Sequence, residues 1–324
     1  MAKGIKVRKS TLKIALAVLV AASLLVIAAC GSSSGKNGDS KVVRIGYQKY
    51  ASVNIMKEHG GLEERLEKIG YKVEWTEFPG GPQLLEALNV GSIDFGHTGE
   101  APPIFAQAAG APLVYLAHSA ESPKAESILL PEKSDIKSAA DLKGKKIALN
   151  KGSNVHYLLV KYLESQGIAY SDVEVVYLPP ADARAAFESG NVDAWVIWEP
   201  FYSAAQLAVN ARVLADGTGL VKNYEFYLAS RSFAEKNKEA VDAILAQLEE
   251  SDKWAVDNQP EVAKLLSPAL GIDTAPLEQA LSHRGWGVIR VNEETIAAQQ
   301  NIADTFQNLG LIPEKLNVSE AVLK

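Results

Sequence analysis

Residues 71–117 read YKVEWTEFPGGPQLLEALNVGSIDFGHTGEAPPIFAQAAGAPLVYLA, and this stretch decides the fold. Tyr71–Thr76 alternates apolar and polar side chains, the period-two pattern of a strand. Pro82–Asn89 has helical spacing, and Pro82 suits a first helical turn, where its missing N–H is no loss. Ser92–Gly96 reads as a short strand, Pro102–Ala109 as a helix, and Leu113–Ala117 as an apolar strand. Strand and helix take turns, so the expected class is α/β, with helices covering the faces of each sheet.

Working outward, Val42–Tyr47 is β-rich and Met56–Ile69 is patterned as a helix. Composition changes near Pro131, and Lys146–Leu149 opens a second series: helix Asn154–Gln166, strand Glu174–Leu178, helix Ala181–Glu188, strand Ala194–Trp198. Beyond Phe226–Ala229 the chain is mainly helical, and Ala240–Trp254 and Glu293–Leu309 are each apolar on one face. Two βα series and a returning helical tail predict a two-lobed α/β molecule. Lobe I is expected over residues 41–128 plus 228–324, and lobe II over 129–227. The chain then crosses between lobes near Leu129 and near Leu228, and paired crossings make a hinge beneath a cleft.

The N-terminus carries a different message. Lys3, Lys6, Arg8, Lys9 and Lys13 precede an apolar run, Ile14–Ala29, with no acid among them. A basic segment, a short apolar core and small residues before a break describe an export signal over residues 1–29. At about 16 residues the run is short for a membrane span, which takes about 20. The run ends at Cys30, the only cysteine, in an Ala-Ala-Cys sequence that resembles a bacterial lipobox. Cys30 is then expected to carry lipid, with residues 30–40 as a flexible tether. A single cysteine excludes intramolecular disulfides.

Without its first 29 residues the chain holds 28 basic and 39 acidic residues, a net of −11. Such a surface suits neither nucleic acid nor anionic lipid, so no nucleic-acid partner is expected. It also repels anions at long range, and an anion site here must work by local geometry.

The runs FPGGPQLLEALNVGSIDFGHTGEAPPIFAQAAG (78–110), LNKGSNVHYLL (149–159), LPPADARAAFESGNVDAWVIWEP (178–200) and AAQQNIADTF (297–306) closely resemble the aliphatic sulfonate-binding proteins of ABC importers. The likeness extends over about Val42 to Pro313. It implies the bilobed fold of periplasmic binding proteins, a sulfonate ligand, and a membrane permease with its ATPase as partners. No cofactor or metal is implied, and a monomer is expected. Taurine-, nitrate- and pyrimidine-precursor-binding relatives share parts of the pattern and stand as alternatives.

A sulfonate is a tetrahedral monoanion that accepts hydrogen bonds and never donates them. Helix N-termini supply free N–H groups and the positive end of the helix dipole. Three helix starts follow strand ends. The first offers Gly80, Gly81 and Gln83, the glycines allowing close backbone approach. The second offers Thr98 and Gly99, with Glu100 turned away to cap the following helix and His97 read as a satisfied core residue. The third offers Ser153 and Asn154, which also suit an N-cap; His156 ranks lower. Gln48 follows the first strand, at the end where open α/β sheets place ligands.

For the carbon tail, alternation separates Trp195 from Trp198, and Trp198 is the expected wall. Glu199 would face a tail amine or serve as a cap. Tyr224 is a secondary wall residue. Arg184 and Arg284 are candidate counter-charges, Arg184 having as its rival reading an ion pair with Asp182 or Asp193.

An enzyme finds little support. The sequence has no phosphate-binding loop, no GxGxxG after a strand, no HExxH and no GxSxG nucleophile elbow. Desulfinases resemble this lobe plan but need a cysteine nucleophile, and the one cysteine here sits in the lipobox.

Overall fold

The structure is a computed structural model that describes residues 41–323. The expected signal, the lipidated Cys30 and the tether lie outside the described residues. The described residues form one compact unit built on two separate sheets.

The first sheet has six strands in the order β11-β4-β10-β3-β1-β2: β1 (Lys41–Gln48), β2 (Tyr71–Phe78), β3 (Phe95–Thr98), β4 (Leu113–His118), β10 (Phe226–Ser230) and β11 (Ile289–Arg290). β1 runs parallel to β2 and β3, while β10 lies antiparallel between β3 and β4. The second sheet has the order β7-β6-β8-β5-β9: β5 (Glu126–Leu130), β6 (Lys146–Leu149), β7 (Glu174–Tyr177), β8 (Ala194–Trp198) and β9 (Arg212–Asp216). β6 is parallel to β7 and β8, and β5 is antiparallel to β8 and β9. The inner strands β4, β5 and β10 are buried at every residue, as strands covered on both faces must be. β2 and β7, at sheet edges, carry exposed positions.

The helices are α1 (Ser52–His59), α2 (Leu62–Glu67), α3 (Gly81–Asn89), α4 (Pro102–Ala108), α5 (Asn154–Ser165), α6 (Pro180–Glu188), α7 (Phe201–Val209), α8 (Arg231–Lys236), α9 (Lys238–Asp257), α10 (Gln259–Leu270), α11 (Thr274–Ser282) and α12 (Glu293–Asn308). The single helix expected over Met56–Ile69 is two helices. Gly60 and Gly61 break it at φ 88° and 96°, a conformation that glycine adopts without strain. The strand expected at Ser92–Gly96 sits later, at Phe95–Thr98, because Ser92 and Gly91 close the preceding helix.

Val43, Ile45 and Phe95 pack against Ile244 and Leu248 of α9, and Leu129, Ala148 and Trp195 against Ala183 and Phe187 of α6. The largest apolar cluster spans both sheets, joining Leu84, Leu88 and Ile104 to Val155, Leu158 and Leu159 through Phe306 of α12. Phe306 is fully buried and meets Phe105, His156 and Tyr157.

Leu129, where the first crossing is expected, lies inside β5 and thus within the second sheet; Leu228 lies inside β10 in the first. The chain passes between sheets over residues 119–125 and 217–225. These two connections are bonded to each other: Ser119 N donates to Glu225 O (2.8 Å), Ser122 N to Lys222 O (3.0 Å) and Gly217 N to Pro123 O (2.9 Å). On another flank α11 touches α7, where Gln279 Nε2 donates to Gln206 Oε1 at 2.6 Å.

Candidate functional site

A cavity of about 90 Å³ lies where the ends of β1, β3 and β8 meet the two connections and the start of α5. Gln48, Lys49, Tyr50 and Ala51 line it from the end of β1, and His97, Thr98 and Gly99 from the end of β3. Ser122, Ala125, Asn223, Tyr224 and Glu225 come from the connections. Asn154, Trp198, Glu199 and Arg284 complete the wall.

Backbone donors are concentrated here. α1 and α5 both begin without a side-chain cap; at α5 His156 N and Tyr157 N already donate to Ser153 O, which leaves Asn154 N and Val155 N as the donors of that helix start. Tyr50 and Ala51, non-glycine residues at φ 70° and 91°, hold the turn into α1. Such backbone strain persists only where the surroundings enforce it, commonly at binding sites.

One end of the cavity is an ionised network. The Arg284 side chain is only 7% exposed, and its Nη2 donates to Ser52 Oγ (2.6 Å) and to Glu225 Oε2. The guanidinium also lies over the rings of Tyr50 and Trp286, at 5.8 and 5.1 Å. Glu225 contacts His97 Nδ1 at 2.8 Å, and His97 Nε2 accepts from Gln48 N at 3.1 Å. With Nε2 accepting from Gln48 N, Nδ1 carries the proton that His97 donates to Glu225. Burial alone would raise the Glu225 carboxyl, but Arg284 and His97 outweigh it and hold it at about 2. Burial would lower Arg284, and Glu225 and Asp252 reverse that, raising it above its ordinary value.

Behind the cavity wall, at the hinge, lies a second acidic group that has no ion-pair partner among the described residues. Glu126 accepts from Asn154 Nδ2, and Asn154 also donates to Asn223 Oδ1 at 3.1 Å. Glu100 Oε2 accepts from Tyr224 N at 3.3 Å. Burial pushes Glu100 up to about 7 and raises Glu126 as well.

The two lobes touch at glycines. A Cβ on Gly99 would lie 2.8 Å from Asn154 Oδ1, and one on Gly80 would lie 2.7 Å from Asn150 Nδ2 and 3.7 Å from Trp198. Gly152 meets Phe105 in the same way, at 3.3 Å.

A protein-family model described as "NMT1/THI5 like" matches residues 67–263. A protein of Escherichia coli (strain K12) assigned as an aliphatic sulfonates-binding protein is 45% identical over 316 residues, covering 97% of this chain and 96% of its own. The chain belongs to the aliphatic sulfonate-binding protein family. A second sulfonate-binding relative, from Bacillus subtilis (strain 168), is 34% identical over 94% of this chain and 93% of its own. The alkanesulfonate-binding protein SsuA from Xanthomonas axonopodis pv. citri, solved bound to MOPS, superposes with a TM-score of 0.84 at 44% identity, covering 88% of this chain and 99% of that one. The relatives are binding proteins, and the fold is that of periplasmic binding proteins.

Against this sulfonate-binding frame, the residues singled out in the sequence divide into three groups. Gln48, Thr98, Gly99, Asn154, Trp198, Glu199 and Tyr224 are brought together on the cavity wall, with Arg284. Trp195 is on the opposite face of its strand, packed on Phe187.

Gly80, Gly81, Gln83 and Ser153 lie off the wall. Gly81 packs α3 against α4, where a Cβ would meet Pro102 at 2.8 Å. Gln83 Oε1 and Asn150 Nδ2 are buried without partners, and both lie near Gly80, on either side of the lobe contact. The Ser153 hydroxyl turns back to Asn150 O at 2.7 Å.

His156 and Arg184 are elsewhere. His156 is buried, with Gly152 N donating to Nδ1 (3.2 Å) and Nε2 bonded to Tyr170 Oη (2.7 Å). Burial, reinforced by Lys151, lowers it to about 4 and keeps it neutral. Arg184 sits half-exposed on α6, bonded through Nε to Glu188 at 2.7 Å, and not to Asp182 or Asp193. An i,i+4 carboxylate on the same helix face is the nearer partner.

Several expected roles change in detail. Thr98 Oγ1 donates to Gly99 O (2.9 Å), so its proton is already used. Both oxygens of Glu199 are engaged, by Ser203 N (3.0 Å), Ser203 Oγ (2.7 Å) and His283 Nδ1 (2.7 Å). Glu199 therefore caps α7. Glu100 accepts from the second connection, because the polypeptide at 223–224 approaches it from across the hinge. Tyr50, Ser122, Asn223 and Glu225 were not singled out in the sequence. Glu225 pairs with Arg284 at a separation of 59, Asn223 accepts from Asn154 at 69 and Ser122 from Gly285 at 163, beyond any local pattern.

Proposed function

We propose that this chain is the solute-binding component of an ABC importer and captures short aliphatic sulfonates between its lobes. Family membership and the donor-lined cavity support this reading, and the observation that carries it is the convergence of uncapped helix starts, Gly99 and the paired Arg284 on one cleft. Open N–H groups of α1 and α5 offer donors to the three sulfonate oxygens, and Trp198 offers an apolar face to the tail. Arg284 supplies positive potential at the wall, although Glu225 already satisfies most of its charge. The cavity, at about 90 Å³, is small, which suits a sulfonate head with a short tail. Longer tails need the lobes further apart.

The chain performs no chemistry on its ligand in this reading; it delivers the sulfonate to a permease driven by an ATPase. Among the described residues no helix is long and apolar enough to cross a membrane. The proposed location is the outer face of the cell membrane, with residues 1–29 as export signal, Cys30 as lipid attachment site and a monomeric body of lobe I and lobe II on a tether.

The test is a calorimetric and thermal-shift panel from methanesulfonate to octanesulfonate, with taurine, sulfate and nitrate as comparators. Short alkanesulfonates should raise the unfolding midpoint, since a ligand bound to the native state alone stabilises by RT ln(1 + [L]/Kd). A larger shift with nitrate or sulfate than with any sulfonate would overturn the reading.

A further inference from the structure

Glu100 and Glu126 are buried at the hinge, at 2% and 0% exposure, and neither forms an ion pair among the described residues. They come from opposite lobes: Glu100 precedes α4, and Glu126 begins β5. Each has one oxygen with a neutral donor, Tyr224 N for Glu100 and Asn154 Nδ2 for Glu126, and each has its Oε1 buried without a partner. Asn154 and Asn223 tie the two acids to the first connection, since Asn223 Nδ2 donates to Ser122 O at 2.9 Å. Burial raises Glu126 first and the nearby Glu100 charge raises it further, as like charges sharing a site do.

The other groups facing this pair do not neutralise it. Lys222 and Glu121 bind each other at the surface of the connections. Glu225 is held by Arg284 and His97, and Glu199 by Ser203 and His283. Tyr157 and Tyr224 stay neutral, burial raising both. His118, packed on Tyr224, is kept neutral by burial.

We propose that Glu100 and Glu126 are a proton-dependent catch between the lobes, which holds them together while the pair keeps a proton and lets them part when it is lost. The physical reason is desolvation. With both carboxylates ionised, two like charges share a dry site that offers only amide donors. Opening the lobes breaks the Gly99–Asn154 contact and admits water to the acids. The closed form therefore binds more protons than the open one, and rising pH favours opening. The dependence starts near the ordinary carboxyl value of 4.5 and, for Glu100, runs to about 7; Glu126 extends it upward. A sulfonate does not titrate in this range, so the pH response belongs to the protein.

The experiment is small-angle scattering of the ligand-free full chain at pH 5, 6, 7 and 8, paired with calorimetry of methanesulfonate over the same range. The radius of gyration should grow with pH. Apparent Kd should rise by up to tenfold per pH unit for each proton released. Glu126→Gln, which mimics the protonated acid, should flatten both curves and bind more tightly than the parent at pH 8. The double replacement Glu100→Gln with Glu126→Gln should remove the slope. A parent radius that is constant from pH 5 to pH 8 overturns the catch, as does a Glu126→Gln profile parallel to the parent's. If no sulfonate binds at any pH, the ligand reading fails, and the scattering series still decides the catch.

Discussion

The hydrogen-bonded network around the hinge holds buried glutamates under opposite rules at its two ends. At one end Glu225 is ionised, because Arg284 and His97 offset the cost of burial. At the other end Glu100 and Glu126 meet only neutral donors, and burial raises both. The two ends share the second connection, since Tyr224 and Glu225 are consecutive residues. Which neighbours converge, more than burial itself, sets the charge of an interior acid.

The largest test of that contrast is Arg284→Met. It leaves Glu225 and Asp252 in the interior without their cation, and losing one partner of a buried pair costs about 3–5 kcal/mol. Urea unfolding should show this as a lower midpoint, and binding should fall with it. The next test uses pH. Glu225 sits at about 2 against 4.5 for an ordinary glutamate, a depressed value, so its stabilisation is present above pH 4.5 and is lost as pH falls toward 2. The loss is on the order of 3 kcal/mol at 1.36 kcal/mol per unit, and it should be absent in Glu225→Gln. Glu100, raised to about 7, has the reverse sign: its contribution is complete below 4.5 and fades as pH rises to about 7. Thermal melts from pH 2 to pH 8 therefore should fall at both extremes.

A smaller effect is expected where the ends meet. Gly99→Ala places a methyl against Asn154 and costs the lobe contact about 1–3 kcal/mol through overpacking, which calorimetry should read as weaker binding. Ser203→Ala removes one hydrogen bond to buried Glu199 and should lower stability by about 1 kcal/mol. Arg184→Ala should change stability by less than about 0.5 kcal/mol and leave ligand affinity untouched, since its surface pair contributes little.

Much of the fold was legible in the sequence because strands and helices announce themselves locally. β6 and β8 fall where their apolar runs are, and period-two alternation separates Trp198 from Trp195. Residues 201–216, which form α7 and β9, were not read, since AAQLAVNARVL gives no clear helix-to-strand switch. The site was legible in part. Helix starts with Gly, Thr and Asn are marked by their residue types; Thr98, Gly99 and Asn154 reach the cavity wall, whereas Gly80 and Gly81 do not. The partners that decide their protonation and hydrogen bonding are not marked: Arg284 reaches Ser52 across 232 positions, and nothing near HRGWG names Glu225 as its mate. Ser153 and Thr98 show the converse. Their types suit ligand donation, yet each hydroxyl spends its proton on a nearby carbonyl.

The two connections lie side by side and are hydrogen-bonded along their length, from Ser119 to Pro123 and from Gly217 to Glu225. They act as a two-ply leaf spring. Sliding one half of the molecule sideways would shear the whole ladder at once, whereas flexing across the ply leaves every rung intact. Departure of a guest is thereby restricted to a jaw-like swing, and the two faces that a membrane partner must recognise keep a fixed rotational setting about the long axis throughout the stroke.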